Sequence, residues 1–193
     1  LANAEVLPFR FETFVGHVET YVKEIEELVE TTRAETLKHN RLVESGAYAL
    51  AMDPKDGLQP PKAKSPVPHI SFASVNNAVV ALRAAAKAAD SAVATAEASD
   101  HLNVAIAQLE RAMTSDEGLP RRPWFRHQVY APGFYTGYGV KTLPGIREAA
   151  EELKWDEMNE QMIRVAAMMN AVTDAMNTIK NAASMGPVEE TAR

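Results

Sequence analysis

Apolar residues recur along this chain in steps of three and four, the period that lines up side chains on one face of an α-helix. From Phe11 to about Val43 the stripe is Phe11, Phe14, Val18, Tyr21, Ile25 and Leu28, with Glu19, Lys23, Glu26, Glu27 and Glu30 opposite. Glu19 and Lys23 are ordered as an i,i+4 ion pair requires. A second segment, about Ser71 to Ala98, carries Phe72, Val75, Val79, Leu82, Ala86, Ala89, Val93 and Ala96. This is a heptad-type seam, and its alanines let another helix approach closely. A third, about Asp100 to Thr114, opens on Asp100 as candidate N-cap and presents Leu102, Ile106, Leu109 and Met113. Pro144 can open a short helix reaching Leu153. The last segment, about Asp156 to Ser184, is the most regular: Trp155, Met158, Met162, Val165, Met169, Val172, Met176 and Ile179. Gly186 and Pro187 supply its stop signal.

No strand alternation of useful length interrupts these periods. The expected fold is all-α: one domain over residues 1–193, a bundle of about four long helices. The methionine run reads as core or subunit interface. Met168 and Met169 point in different directions, so one is expected to face a partner. The two heptad seams exceed what a small bundle must bury alone, which points to self-association.

Two stretches break the helical pattern. Residues 53–68, DPKDGLQPPKAKSPVP, hold five prolines and a glycine. Helix is forbidden there, and a mobile surface linker is expected. The second break is centred on Gly118 to Gly145, GLPRRPWFRHQVYAPGFYTGYGVKTLPG, with residues 116–143 read as a functional loop. A connection this long between helices is usually functional or disordered. Disordered segments are poor in aromatics, and this one holds six. It is therefore expected to be an ordered loop pinned by aromatic anchors, with Tyr130, Tyr135 and Tyr138 mostly packed. The opening LANAEVLPF has neither an initiating Met nor a signal-peptide pattern. It reads as the continuation of something upstream.

Composition narrows the classes. The net charge of −6 argues against a nucleic-acid footprint, which needs a basic face. No apolar run approaches the ~18 residues of a membrane span. With no cysteine there is neither a disulfide nor a thiol nucleophile. The histidines His17, His39, His69, His101 and His127 match no metal-ligand spacing. No nucleophile elbow or phosphate-binding glycine loop is present. The visible chain thus lacks a self-sufficient active site and a metal site. Arg121, Arg122 and Arg126 remain: either solvated charge bonding loop carbonyls, or a carboxylate-recognition patch.

The run LERAMTSDEGLPRRPWFRHQVYAPGFYTGYGVKTLPGIREA, with its order LER–GLP–RP–RH–YAP–PGI, resembles the helical segment shared by glutamate carboxypeptidase-type zinc peptidases and transferrin receptors. In that family it is the transferrin receptor-like dimerisation domain. Within that order Arg126, His127, Tyr130, Pro132 and Pro144 are expected to structure the loop. LANAEVLPF looks like the junction, residues 1–9, with the family's catalytic domain.

The resemblance implies a homodimer that also contacts its own catalytic domain. There, two zinc ions, their ligands and a general-base Glu would release the C-terminal residue of a peptide. It implies no catalytic residue in this segment. It also implies that the loop completes the substrate pocket, where a Lys-Tyr pair holds the carboxylates of a C-terminal glutamate. The Tyr falls on Tyr138 and the Lys on Gly137, so preference for an acidic residue is in doubt. Lys141, three residues beyond Tyr138, is the nearest replacement ammonium. The family's transferrin receptors have lost catalysis and bind a protein instead. A catalytically inactive receptor or sorting adaptor is therefore the alternative reading. Family members are often membrane-anchored or secreted, but nothing in this chain says which.

Overall fold

Alanine on one helix against methionine and valine on another makes the deepest contact in the protein. The computed structural model describes residues 4–53 and 59–185. In it α3 (Ala73–Val93) buries Val75, Ala78, Val79, Leu82, Ala85, Ala86 and Ala89. The facing helix α6 (Trp155–Ser184) buries Met158, Met162, Val165, Met169, Val172, Met176 and Ile179. Small side chains on one partner shorten the interaxial distance, and large flexible ones on the other fill the space. These two helices share the most extensive contact of the fold.

The order among the described residues is α1 (Phe11–Glu44), α2 (Ala47–Ala51), α3, α4 (Asp100–Ala112), β1 (Tyr130–Pro132), β2 (Val140–Thr142), α5 (Pro144–Glu151) and α6. The fold is a mainly helical bundle, as the periodicity predicts, with four long helices and two short ones. Helix α1 lies antiparallel to α3. Asp90 caps the start of α1 by accepting from the Phe11 and Glu12 amides, Glu19 pairs with Arg83, and Asn76 donates to Glu26. Helix α4 packs on α6, burying Leu102, Ile106 and Leu109.

The structure corrects several expectations. On α1 the buried line is Phe11, Val15, Val18, Val22, Ile25 and Val29, whereas Phe14, Tyr21 and Leu28 form a half-buried rim. The stripe is rotated toward the β-branched residues that face α3. Glu19 is taken by Arg83, so Lys23 pairs with Glu27 at 3.8 Å instead. The cap of α4 is Ser99, in extended backbone, whose hydroxyl accepts from the Leu102 amide; Asp100 is the first helical residue. Met168 and Met169 are both buried. Both heptad seams are consumed inside one chain, apart from half-buried residues such as Trp155 at their ends. They therefore supply no argument for a dimer.

The proline-rich stretch is also more fixed than a mobile linker. Arg33 donates to the Val67 and Pro68 carbonyls at 2.6 and 2.9 Å. Asn40 brackets Lys64 through both its amide and its carbonyl. His39 donates from Nε2 to the Lys62 carbonyl, which leaves Nδ1 to accept from the Tyr48 hydroxyl. Val67 and Ile70 are buried. The segment is an extended strap laid along α1, which is how a proline-rich chain satisfies its carbonyls without a helix. Residues 54–58 of this stretch, Leu1 to Asn3 of the opening, and the Gly186–Pro187 stop signal lie outside the described residues. No helix among the described residues is long and apolar enough to cross a membrane.

Candidate substrate-facing loop

Between α4 and α5 the chain builds a platform from very few regular hydrogen bonds. It leaves α4 through Gly118, at φ +64, where a Cβ would sit 2.2 Å from the Pro123 carbonyl oxygen. Only glycine fits that turn. Isolated bridges join Thr114 to His127 and Leu119 to Arg122. The chain then forms an antiparallel ribbon, missed in the sequence because each strand has only three residues. Its pairs are Tyr130 with Thr142, Ala131 with Lys141, and Pro132 with Val140. Pro132 sits at the end of this two-stranded ribbon, a position proline tolerates. The ribbon leads directly into α5, with Leu143 as N-cap and Pro144 in the first turn.

The loop is ordered, but the anchors are not aromatic. Leu119, Arg122, Gln128, Val129, Ala131 and Leu143 are buried. Trp124, Tyr135 and Tyr138 are 71%, 76% and 93% exposed, and Tyr130 is half exposed. The expectation of packed tyrosines is overturned. Short aliphatic side chains and one buried charge pair hold the loop, which leaves Trp124, Tyr135 and Tyr138 on the surface.

That charge pair is Arg122 with Glu148. Arg122 Nη2 lies 2.9 Å from each carboxylate oxygen of Glu148, and both side chains are buried. The Arg122 guanidinium also lies 5.6 Å from the Phe125 ring centroid and 5.8 Å from that of Phe134. Arg121, held at φ 63, binds Glu157 at 2.8 Å and stacks on Phe134. Burial opposes its charge, but Glu157 and then Glu152 raise it further above its ordinary range. Burial likewise opposes ionisation of Glu152, yet Lys154 and Arg121 hold its carboxyl below the usual range. Arg126 pairs at 3.1 Å with the exposed Asp116. All three arginines thus have carboxylate partners within the chain, although that of Arg126 is an exposed surface pair.

His127, Tyr130 and Glu110 form a second cluster. The Val129 and Tyr130 amides both donate to His127 Nδ1 at 3.3 Å. Nε2 lies 3.2 Å from Glu110 Oε1, outside hydrogen-bond alignment. The Tyr130 hydroxyl donates to Glu110 at 3.0 Å, which raises the Tyr130 pKa. Burial pushes His127 below its ordinary value, against the opposing pull of Glu110.

Tyr138 stands at the tip between the strands. Its amide donates to the Thr136 carbonyl at 2.8 Å, and its side chain makes no hydrogen bond among the described residues. Gly137, beside it, has φ +68 and open space around it. Lys141 does not join Tyr138: its ammonium is 2.6 Å from Glu151. The methionine and valine positions of α6, from Met158 to Met176, are core and lie outside this loop. No group of three or more His, Asp or Glu able to hold a metal ion occurs among the described residues.

Comparison with known proteins places this architecture. Residues 70–177, from the start of α3 to the last turns of α6, match the family model described as the transferrin receptor-like dimerisation domain. The chain belongs to that family. It is 28% identical over 173 residues to a probable glutamate carboxypeptidase of Arabidopsis thaliana, covering 86% of this chain and 21% of the relative. It is 31% identical over 96 residues to a probable glutamate carboxypeptidase of Arthroderma benhamiae, covering 46% of this chain and 13% of the relative. The matched part thus spans about a fifth or less of these relatives.

Protonating His127 Nδ1 would set an N–H against two backbone N–H groups at the entry to β1. The folded pKa is depressed, so the unfolded chain binds the proton first as pH falls. The contribution is complete above the unfolded value of about 6.5 and is lost as pH falls below it. Urea unfolding midpoints measured from pH 7.5 to 5 should therefore decline, and the decline should be shallower in His127→Asn. Parallel profiles would remove His127 from the acid response.

Proposed function

We propose that this chain is the dimerisation and pocket-completing segment of a glutamate carboxypeptidase-like zinc exopeptidase. The observation that carries the reading is the tip of the loop. In a chain of this family, a tyrosine whose side chain makes no hydrogen bond among the described residues is held in solvent on a ribbon joined to the bundle. Binding residues are disproportionately placed on loops held by a rigid scaffold. Tyr offers a polar hydroxyl on an apolar body, suited to a substrate carboxylate or carbonyl.

The hydrolytic chemistry belongs to a catalytic domain with two zinc ions, which supply a metal-activated water. This segment contributes substrate binding and orientation. The substrate is a peptide that loses its C-terminal residue. Gly137 puts no cation beside Tyr138, and Lys141 is engaged by Glu151. Preference for a terminal glutamate should therefore be weak, since a lost charge-assisted hydrogen bond is worth about 1.5–3 kcal/mol.

The same observation favours a second reading. Exposed Trp124, Tyr135 and Tyr138 beside arginine have the composition of a protein-binding hot spot. An inactive receptor or sorting adaptor of this family would use them for a partner.

In the homodimer, the contact falls on faces that the heptad seams leave free, and it should bury well above about 1,000 Å². Light scattering of this chain at tens of micromolar should give twice the 21.1 kDa monomer mass. A strict monomer would contradict the dimer.

Release of the terminal residue from a panel of short peptides by the intact protein should be abolished by a zinc chelator. In Tyr138→Phe, KM should rise more than kcat falls, because the residue binds rather than reacts. No release from any peptide with zinc supplied would favour the receptor reading. A large fall in kcat at constant KM would reject the binding role.

A further inference from the structure

The tip that carries Tyr138 is hydrogen-bonded mostly to itself. Gly133 N donates to the Gly139 carbonyl at 2.7 Å, Gly137 N to the Gly133 carbonyl at 2.9 Å, and Tyr138 N to the Thr136 carbonyl at 2.8 Å. These bonds shape residues 133–139 but do not say where the unit sits on the bundle. Side-chain contacts to the rest of the fold fall at its first positions, where Arg121 and Arg122 lie over Phe134 and Tyr135 lies against Glu152. A cavity of about 200 Å³ lies beneath the tip, between Phe134, Thr136, Lys141, Glu148 and Glu151. The tip roofs this space rather than filling it.

One backbone bond crosses from the tip to a helix. The Phe134 amide donates to Glu148 Oε1 at 2.8 Å. Glu148 is on α5, whose face against α6 is buried. Its carboxylate is clamped from the other side by Arg122, which reaches both oxygens. Arg122 also lies over the Phe134 ring. Phe134 is thus held through its amide by Glu148 and through its ring by both Arg122 and Arg121, at 5.8 and 5.4 Å.

We propose that Glu148 is a positioning residue: its carboxylate, fixed by Arg122, sets where the tip and Tyr138 stand beside the cavity. Arg122 locks the carboxylate rotamer, and the carboxylate locks the strand of chain leading to Tyr138. This role rests on the proposed function only where it touches substrate; the tether is a statement about the loop itself.

The test uses the intact protein and two variants. Glu148→Asp keeps the charge for Arg122 but withdraws the carboxylate by one methylene from the Phe134 amide. Phe134→Pro deletes both the donor and the ring under Arg122, and leaves the two partners of the ion pair unchanged. Hydrogen–deuterium exchange of residues 135–139 should accelerate by about tenfold or more in both, with exchange in α6 unchanged. Unchanged tip exchange in Glu148→Asp, with α6 still protected, would overturn the assignment. If Glu148→Asp also loses protection in α6, Phe134→Pro decides by the same criterion.

Peptide-release kinetics then separate this assignment from the substrate reading. A loosened tip with KM raised roughly tenfold and kcat within about twofold supports both. A loosened tip with KM unmoved supports the tether and removes the tip from substrate binding.

Discussion

A single buried ion pair connects the two halves of this protein's design. Arg122 comes from an irregular loop and Glu148 from a helix packed on the core, and each is nearly inaccessible to water. Such a pair is costly to desolvate and adds little net stability over an apolar pair of equal size. What it adds is direction. Its oxygens accept from Arg122 and from the Phe134 amide, and its cation lies against two phenyl rings. An apolar cluster of the same volume could fill the site but could not fix the tip's height and angle. The loop can therefore leave Trp124, Tyr135 and Tyr138 in solvent without becoming disordered.

The bundle beneath is organised by a different constraint. The alanines of α3 face the methionines and valines of α6, and both helices spend their regular seams on each other. The strap of residues 62–68 and the antiparallel α1 close the flank. The result is a rigid base with its apolar periodicity already satisfied.

The long helices were legible because each buries one face, and burial imposes a period that survives in a single sequence. Met158 to Ile179 are buried at every step of that pattern. The α1 stripe is half hidden in the sequence because Phe14 and Tyr21 outweigh Val15 and Val22 in size, although the valines are the buried residues. The loop's order was legible from its aromatics, but for the wrong reason. Trp124, Tyr135 and Tyr138 are display, and the anchors are Leu119, Val129, Leu143 and a charge pair 26 residues apart in sequence, with Phe125 and Phe134 against its cation. No periodicity links Arg122 to Glu148, and three-residue strands carry no alternation. Tyr138 and Gly137 could be located from the family resemblance alone. That Lys141 is already bound to Glu151 needed the geometry.

The central claim is that the Arg122–Glu148 pair works as one unit between loop and bundle, and a double-mutant cycle tests it directly. Unfolding free energies would be measured for Arg122→Met, Glu148→Leu and the double variant. Each single change strands a buried charge and should cost about 3–5 kcal/mol, while the double variant should cost clearly less than the sum. Costs that add to within about 0.5 kcal/mol would mean the two charges act independently, and the account of the loop would be contradicted.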